Sequence, residues 1–182
     1  RVTTLWLTAG LFQVIVDQAP EILEPLRQLL TGGDTLSPSH VIKCLKCCPN
    51  TALINGYGPT ENTTFSCCYT IPRGYSGERP VPIGKPIANS EAYILDSKRR
   101  PIRPGMVGDL WVGGDGLSSG YWRRDELNQT KFKRHPFFSD PDLRIYKTGD
   151  LARYGSDGTI EFCGRSDAQV KIRGFRVEVE EV

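Results

Sequence analysis

Residues 54–65 read I-N-G-Y-G-P-T-E-N-T-T-F. The apolar run at 51–54 that leads into them has the make-up of a buried strand, and Asn55, Gly56, Gly58 and Pro59 then turn the chain. A glycine in such a loop lets backbone come close to a ligand, because no Cβ stands in the way. The loop also carries one aromatic face (Tyr57), one hydroxyl (Thr60) and one carboxylate (Glu61). Together they offer a ring for a base, a donor for phosphate and an oxygen for Mg²⁺. The same residues also make an ordinary glycine-rich turn at a strand end, and their spacing alone does not choose between the two.

Upstream, residues 2–8 are β-branched and aromatic, which predicts a buried strand. Residues 11–17 and 19–26 place apolar side chains at helical spacing, with Pro20 at a favoured first-turn position. Residues 28–31 return to strand composition and run into Gly32, Gly33 and Asp34. Ser37 reads as a helix cap with Pro38 at the first helical position, opening a helix that reaches Cys48. This alternation predicts an α/β layer with parallel strands. Ligands in such sheets sit at the carboxyl ends of strands, where Gly32 and Gly56 fall.

After about Ser66 the texture changes. Short strand candidates at 67–71, 91–96, 109–112, 144–146 and 159–162 alternate with turns rich in proline and glycine, which predicts a small β-rich subdomain. The G-S-D-G at 155–158 should turn a hairpin between 151–154 and 159–162. One helix interrupts the run, with Asp125 as its cap and its end near Phe132. The glycines within 112–120 do not form a G-x-G-x-x-G opening a helix, which argues against a dinucleotide fold.

The chain has 182 residues, 38% of them apolar, enough for one domain or two small ones. Its net charge of +2 argues against a nucleic-acid surface, and the basic clusters at 98–100 and 123–124 read as solvated loops. No apolar run approaches the roughly 20 residues of a membrane helix. Residues 1–10 show no cleavable signal pattern, so a cytoplasmic location with no membrane partner is expected. Cys44 and Cys47 form a C-x-x-C inside a predicted helix with no matching second pair. Reduced thiols are expected there rather than a four-ligand zinc site. His40 and His135 lack ligand spacing, and neither is read as catalytic.

A second stretch, 146–176, reads Y-K-T-G-D-L-A-R-Y-G-S-D-G-T-I-E-F-C-G-R-S-D-A-Q-V-K-I-R-G-F-R. Between the two lie P-I-G-K-P at 82–86, G-D-L-W-V-G-G-D-G-L-S-S-G-Y at 108–121 and T-K-F at 130–132. In this order the set resembles the adenylate-forming enzymes, specifically the amino-acid-activating adenylation domains of non-ribosomal peptide synthetases. The resemblance implies a layered α/β sheet subdomain followed by a small, barrel-like β-rich subdomain. Residues 1–70 would carry the adenine and substrate pocket and 71–166 the ribose-binding motif. Residues 167–182 would form the hinge, at Asp167, and the start of a C-terminal lid.

The implied reaction is ATP-dependent adenylation of an amino acid, followed by transfer to the phosphopantetheine of a partner peptidyl carrier domain. Such chemistry needs in-line positioning and neutralised phosphate charge more than a proton relay. By resemblance, Tyr57 packs on adenine while Asn55 and the backbone at Gly56 read its edge. Thr60 contacts the α-phosphate, and Glu61 binds Mg²⁺. Asp150 accepts from the ribose hydroxyls, with Tyr146 and Arg165 beside it. Lys171 lies just past the hinge, toward the phosphates or the thiol-transfer arrangement. The substrate pocket is implied at Trp6, Leu30, Gly32, Gly56, Thr64 and Phe65. These offer apolar walls, space and no charge, which implies a branched aliphatic, valine-like side chain.

A phosphate loop upstream and a catalytic lysine downstream are expected from the resemblance and are not in these 182 residues. The chain by itself is therefore expected to be inactive and to need the remaining parts of its adenylation domain. Two other readings stay open: an acyl- or aryl-CoA ligase of the same superfamily, and a non-catalytic nucleotide-binding fragment.

Overall fold

The computed structural model describes residues 2–167, 169–172 and 175–177. They divide into two compact units that interleave along the chain. The first takes in the described residues within 1–56, 68–84 and 168–182; the second takes in 57–67 and 85–167.

In the first unit, β1 (Thr4–Thr8), β2 (Gln28–Gly32) and β3 (Ala52–Tyr57) lie side by side in parallel, and β4 (Cys67–Thr70) stands next to β3. The register sets Trp6 beside Leu30 and Leu30 beside Ile54, then Thr8 beside Gly32 and Gly32 beside Gly56. Helix α1 (Ala9–Gln18) follows β1 with no intervening loop, because Thr8 ends the strand and caps the helix, its hydroxyl accepting from Leu11 N–H at 3.3 Å. Phe12 and Val16, one turn apart, are fully buried with Leu29, Leu53 and, from α2 (Pro38–Cys47), Val41 and Cys44.

One local expectation is corrected in this unit and another is met in position only. The helical run expected over 19–26 is only a 3₁₀ turn, Pro20–Leu23. Pro25 lacks an N–H and restricts the residue before it, so the turn cannot propagate. Ser37 occupies the cap position of α2 with Pro38 in its first turn, as expected, but its side chain makes no cap bond. Its hydroxyl is engaged instead by His40 Nδ1 at 2.7 Å and Ser39 Oγ at 3.0 Å. The other end of α2 is held by Arg73, whose guanidinium donates to the carbonyls of Leu45, Cys48 and Thr51 at 2.7–3.3 Å. That places a cation where a helix leaves its carbonyls unsatisfied.

The second unit begins its later part with β5 (Lys85–Pro86). It is organised on an antiparallel sheet in the order β10 (Ile160–Arg165), β9 (Arg144–Tyr154), β7 (Gly108–Gly114), β6 (Ser90–Leu95), with β8 (Phe132–Arg134) paired to β9. The two strands expected at 144–146 and 151–154 are one continuous β9. The 155–158 hairpin forms as expected, Gly155 N–H meeting the Thr159 carbonyl at 2.8 Å. Helix α3 (Asp125–Lys131) forms where predicted, but Arg124 occupies the cap position and Asp125 is its first residue, with no side-chain cap bond. Asp125 and Glu126 still place negative charge at the positive end of the helix. Last in the chain, β11 (Val170–Ile172) and β12 (Phe175–Val177) pair antiparallel with each other. Among the described residues no helix is long and apolar enough to cross a membrane.

Candidate functional site

β9 is the strand that positions Asp150, and it does so through irregularity. Its register with β7 shifts between Asp109 and Trp111, and its register with β10 shifts between Phe162 and Arg165. The first break falls across from residues 148–150 and the second between Asp150 and Ala152. Bulges of this kind re-aim a side chain, and here they sit where Asp150 turns. Thr148 Oγ1 donates to the Leu110 carbonyl at 2.7 Å and accepts from Asp150 N–H at 3.0 Å, so one hydroxyl stitches the break. Gly149 has φ +80°. A Cβ there would overlap Asp167 Oδ2 and come within 2.7 Å of the Arg165 guanidinium.

Asp150 is buried, and each of its oxygens has a partner: Tyr57 Oη donates to Oδ2, and Arg165 Nη1 donates to Oδ1 at 2.6 Å. Arg165 also forks onto both oxygens of Asp167, at 2.7 and 2.9 Å, and reaches the Thr148 carbonyl at 3.2 Å. Burial works against the charge of Arg165, but the pairs with Asp167 and Asp150 outweigh it and raise its pKa. Burial first, then the charge of Asp150, pushes the Tyr57 phenol well above its usual value, so it remains a donor. The structure thus brings together Tyr57, Asp150, Arg165 and Asp167, residues spread over more than a hundred positions of sequence.

The stretch after Tyr57 bends sharply back. Thr63 and Thr64 both have positive φ, 47° and 65°, which is costly for a β-branched residue. A Cβ at Gly58 would meet the Thr64 carbonyl oxygen at 2.5 Å, so only glycine permits the return. Thr60 is exposed at the start of a 3₁₀ turn, Thr64 is exposed, and Phe65 is half-buried. Glu61, in the same turn, is 6% exposed. Tyr121 Oη donates to Glu61 Oε1 and lies 3.1 Å from Tyr146 Oη.

Tyr146 is fully buried and packs with Val112 and Phe132. Tyr121 is the residue that sequence reasoning misses. It stands in the quoted 108–121 stretch, but nothing in its neighbours points to a carboxylate 60 positions away. Asp167 is the last residue of the second unit. Lys171 stands in β11 opposite Arg176, and its side chain lies outside the described part of the structure.

In the first unit the register places Trp6, Leu30, Gly32 and Gly56 on one face of the sheet, since directly paired residues share a face and alternate residues return to it. The opposite face, with Leu7, Leu29 and Leu53, packs on the helices. Trp6 is 44% exposed and Leu30 half-buried. A Cβ at Gly32 would collide with the Gly56 carbonyl oxygen, which explains the paired glycines. Asn55, buried on the other face, commits Nδ2 to the Pro82 carbonyl at 2.8 Å.

The family model for AMP-binding enzymes matches residues 1–122. The chain belongs to the family of AMP-binding enzymes. All of it aligns with a linear gramicidin synthase of Brevibacillus parabrevis, at 53% identity over 182 residues that make up 4% of that protein. Tyrocidine synthase 3 of the same organism is 49% identical over 182 residues, 3% of its length. The solved structure of holo-PA1221, an NRPS protein containing adenylation and PCP domains, superposes with a TM-score of 0.91 at 43% identity. That match covers 97% of this chain and 31% of PA1221. The chain is thus part of an adenylation domain of the non-ribosomal peptide synthetase kind, with the adenylate-forming fold. It spans only a small fraction of the curated relatives it matches.

Proposed function

We propose that this chain carries nucleotide- and substrate-binding residues of a domain that activates an amino acid with ATP. The observation that supports this most is Asp150, a buried carboxylate held between Tyr57 and Arg165 at a break in two strand registers. A carboxylate on a short, fixed stem suits acceptance from two neighbouring ribose hydroxyls. In this reading Tyr57 packs on adenine, Asn55 and the Gly56 backbone read its edge, and Thr60 contacts the α-phosphate. The substrate carboxylate attacks the α-phosphorus, the bond to pyrophosphate breaks, and aminoacyl-AMP results. The phosphopantetheine thiol of a peptidyl carrier domain then attacks the acyl carbon, the bond to AMP breaks, and a thioester forms as AMP leaves. The likeness to proteins that combine adenylation and PCP domains supports that second half.

Glu61 is the proposed Mg²⁺ ligand. A carboxylate is a hard oxygen donor, and among the described residues no group of three or more His, Cys, Asp or Glu could hold a metal. That donor set fits an ion that arrives with substrate phosphates, not a resident all-protein site. When bound, Mg²⁺ neutralises charge on the phosphate oxygens. Asp167, at the end of the second unit, is proposed as the hinge, and Lys171 past it as a contact to the phosphates or the transferring thiol.

For the substrate side chain, Trp6 and Leu30 provide apolar surface, and Gly32 and Gly56 leave room. Thr64 and Phe65 are assigned to the same role by resemblance. None is charged, which favours a branched aliphatic side chain such as valine. The test is amino-acid-dependent ATP–pyrophosphate exchange across a panel of amino acids, run on the full-length protein and on this chain alone. Exchange peaking at valine or a near neighbour in the full-length protein, and none from the chain alone, is expected. Exchange with no amino acid, alongside CoA-dependent activation of an acyl or aryl acid, would replace this reading with that of a CoA ligase.

A further inference from the structure

The 114–121 loop is tied to the 3₁₀ turn that carries Glu61 at three points. Ser118 N–H donates to the Glu61 carbonyl at 2.9 Å, Thr63 Oγ1 donates to the Gly116 carbonyl at 2.7 Å, and Tyr121 Oη donates to the Glu61 carboxylate. The third bond depends on where Tyr121 is held, and Asn128 of α3 holds it from both sides. Asn128 Oδ1 accepts from Tyr121 N–H at 2.7 Å, and Nδ2 donates to the Tyr121 carbonyl at 2.8 Å. One planar amide thus satisfies both backbone groups of one residue, which fixes the peptide on each side of it. Gly120 makes the approach possible: its φ is +128°, and a Cβ there would stand 2.8 Å from Asn128 Oδ1.

The ring of Tyr121 is equally constrained. It packs edge-on to Phe132 at 5.6 Å, and Phe132 packs on Tyr146 at 5.0 Å. A phenol has one proton to give, and the carboxylate is the stronger acceptor. Tyr121 therefore gives its proton to Glu61, and the 3.1 Å contact is Tyr146 Oη donating to Tyr121 Oη. Tyr146, with no exposed surface, anchors this chain of hydroxyls.

We propose that Tyr121, clamped by Asn128 and backed by Tyr146, is a positioning residue for Glu61. It sets the plane of the carboxylate to meet the divalent cation accompanying the nucleotide phosphates. The proposal rests on the reading of Glu61 as the Mg²⁺ ligand. Groups that hydrogen-bond to a metal-ligating carboxylate orient it, and their loss commonly lowers metal affinity roughly ten- to a hundredfold.

The experiment uses the full-length protein and its Tyr121→Phe, Asn128→Ala and Glu61→Gln variants. Mn²⁺ binding is followed by electron paramagnetic resonance with a non-hydrolysable ATP analogue present, and analogue binding without metal by calorimetry. Tyr121→Phe keeps the ring packing and removes only the hydroxyl. It should weaken Mn²⁺ binding roughly tenfold while leaving metal-free analogue affinity unchanged. Asn128→Ala should weaken Mn²⁺ binding in the same direction, and Glu61→Gln should do so most. A merely structural role for Tyr121 would lower the melting temperature or metal-free binding without a selective metal effect, and that outcome overturns the proposal. If Glu61→Gln loses Mn²⁺ binding and Tyr121→Phe does not, the positioning role fails and the ligand reading stands. If Glu61→Gln binds Mn²⁺ normally, both fail.

Discussion

Tyr57 donates its phenolic proton to Asp150, a bond that closes from the end of β3 onto the break in β9. It joins the aromatic residue proposed for the base with the carboxylate proposed for the ribose. The folded protein holds the Tyr57 proton more tightly than the unfolded chain, because burial and the charge of Asp150 raise its pKa. The stability this contributes is complete below about pH 10, the ordinary tyrosine value, and is lost as pH rises through the raised folded value. Denaturant melts between about pH 9 and 11, around that ordinary value, should show a fall in stability that is shallower in Tyr57→Phe. Equal slopes in the two proteins would show that Tyr57 titrates as an ordinary phenol.

Asp150→Asn keeps the shape of the side chain and removes the charge that Arg165 and Tyr57 address. Arg165 retains Asp167, so the loss of stability should be about 2 kcal/mol, the scale of a hydrogen bond to a charged group. Affinity for adenosine nucleotides in the full-length protein should fall by more than its stability change explains. Calorimetric titration with AMP at a temperature where both proteins are folded separates the two. Wild-type AMP affinity would remove Asp150 from the ribose site.

Gly149 and Gly32 answer different constraints. Gly149→Ala forces a side chain into the left-handed region and against Asp167, which should cost about 1–3 kcal/mol. Gly32→Ala has ordinary backbone angles available but drives a methyl into the Gly56 carbonyl, and a cost of about 1–3 kcal/mol follows from overpacking. Thermal melts of both variants test this, and a neutral Gly32→Ala would mean that β2 and β3 separate freely.

Trp6 is almost half exposed, so Trp6→Ala should disturb stability little for so large a side chain. If it walls the substrate pocket, its removal should shift exchange in the full-length protein toward larger apolar amino acids, by about 10–200-fold in relative preference. An unchanged preference across the panel would place Trp6 outside the pocket.

Much of this protein is written locally. The parallel strands at Thr4–Thr8, Gln28–Gly32 and Ala52–Tyr57 follow from β-branched and apolar runs, and α1 and α2 from apolar residues recurring at helical spacing. The two motif stretches supply nucleotide-binding residue types in an order that already resembles one family. Local signals mislead where two chemistries compete for one group. Ser37 has the composition of a cap but spends its hydroxyl on His40 and Ser39, and Pro25 cuts short a run whose apolar spacing is otherwise helical.

Contacts across long separations are decided only by the tertiary structure. Tyr57 meets Asp150 across 93 positions and Tyr121 meets Glu61 across 60. Side-chain spacing along a chain carries no record of which distant strands will pair or where their register slips. The two slips beside Asp150 aim it, and the Asn128 amide aims Tyr121. The residue types a nucleotide requires are a property of the sequence; their orientation is a property of packing, because it is set by backbone irregularities and hydrogen bonds that form only once the sheet has closed.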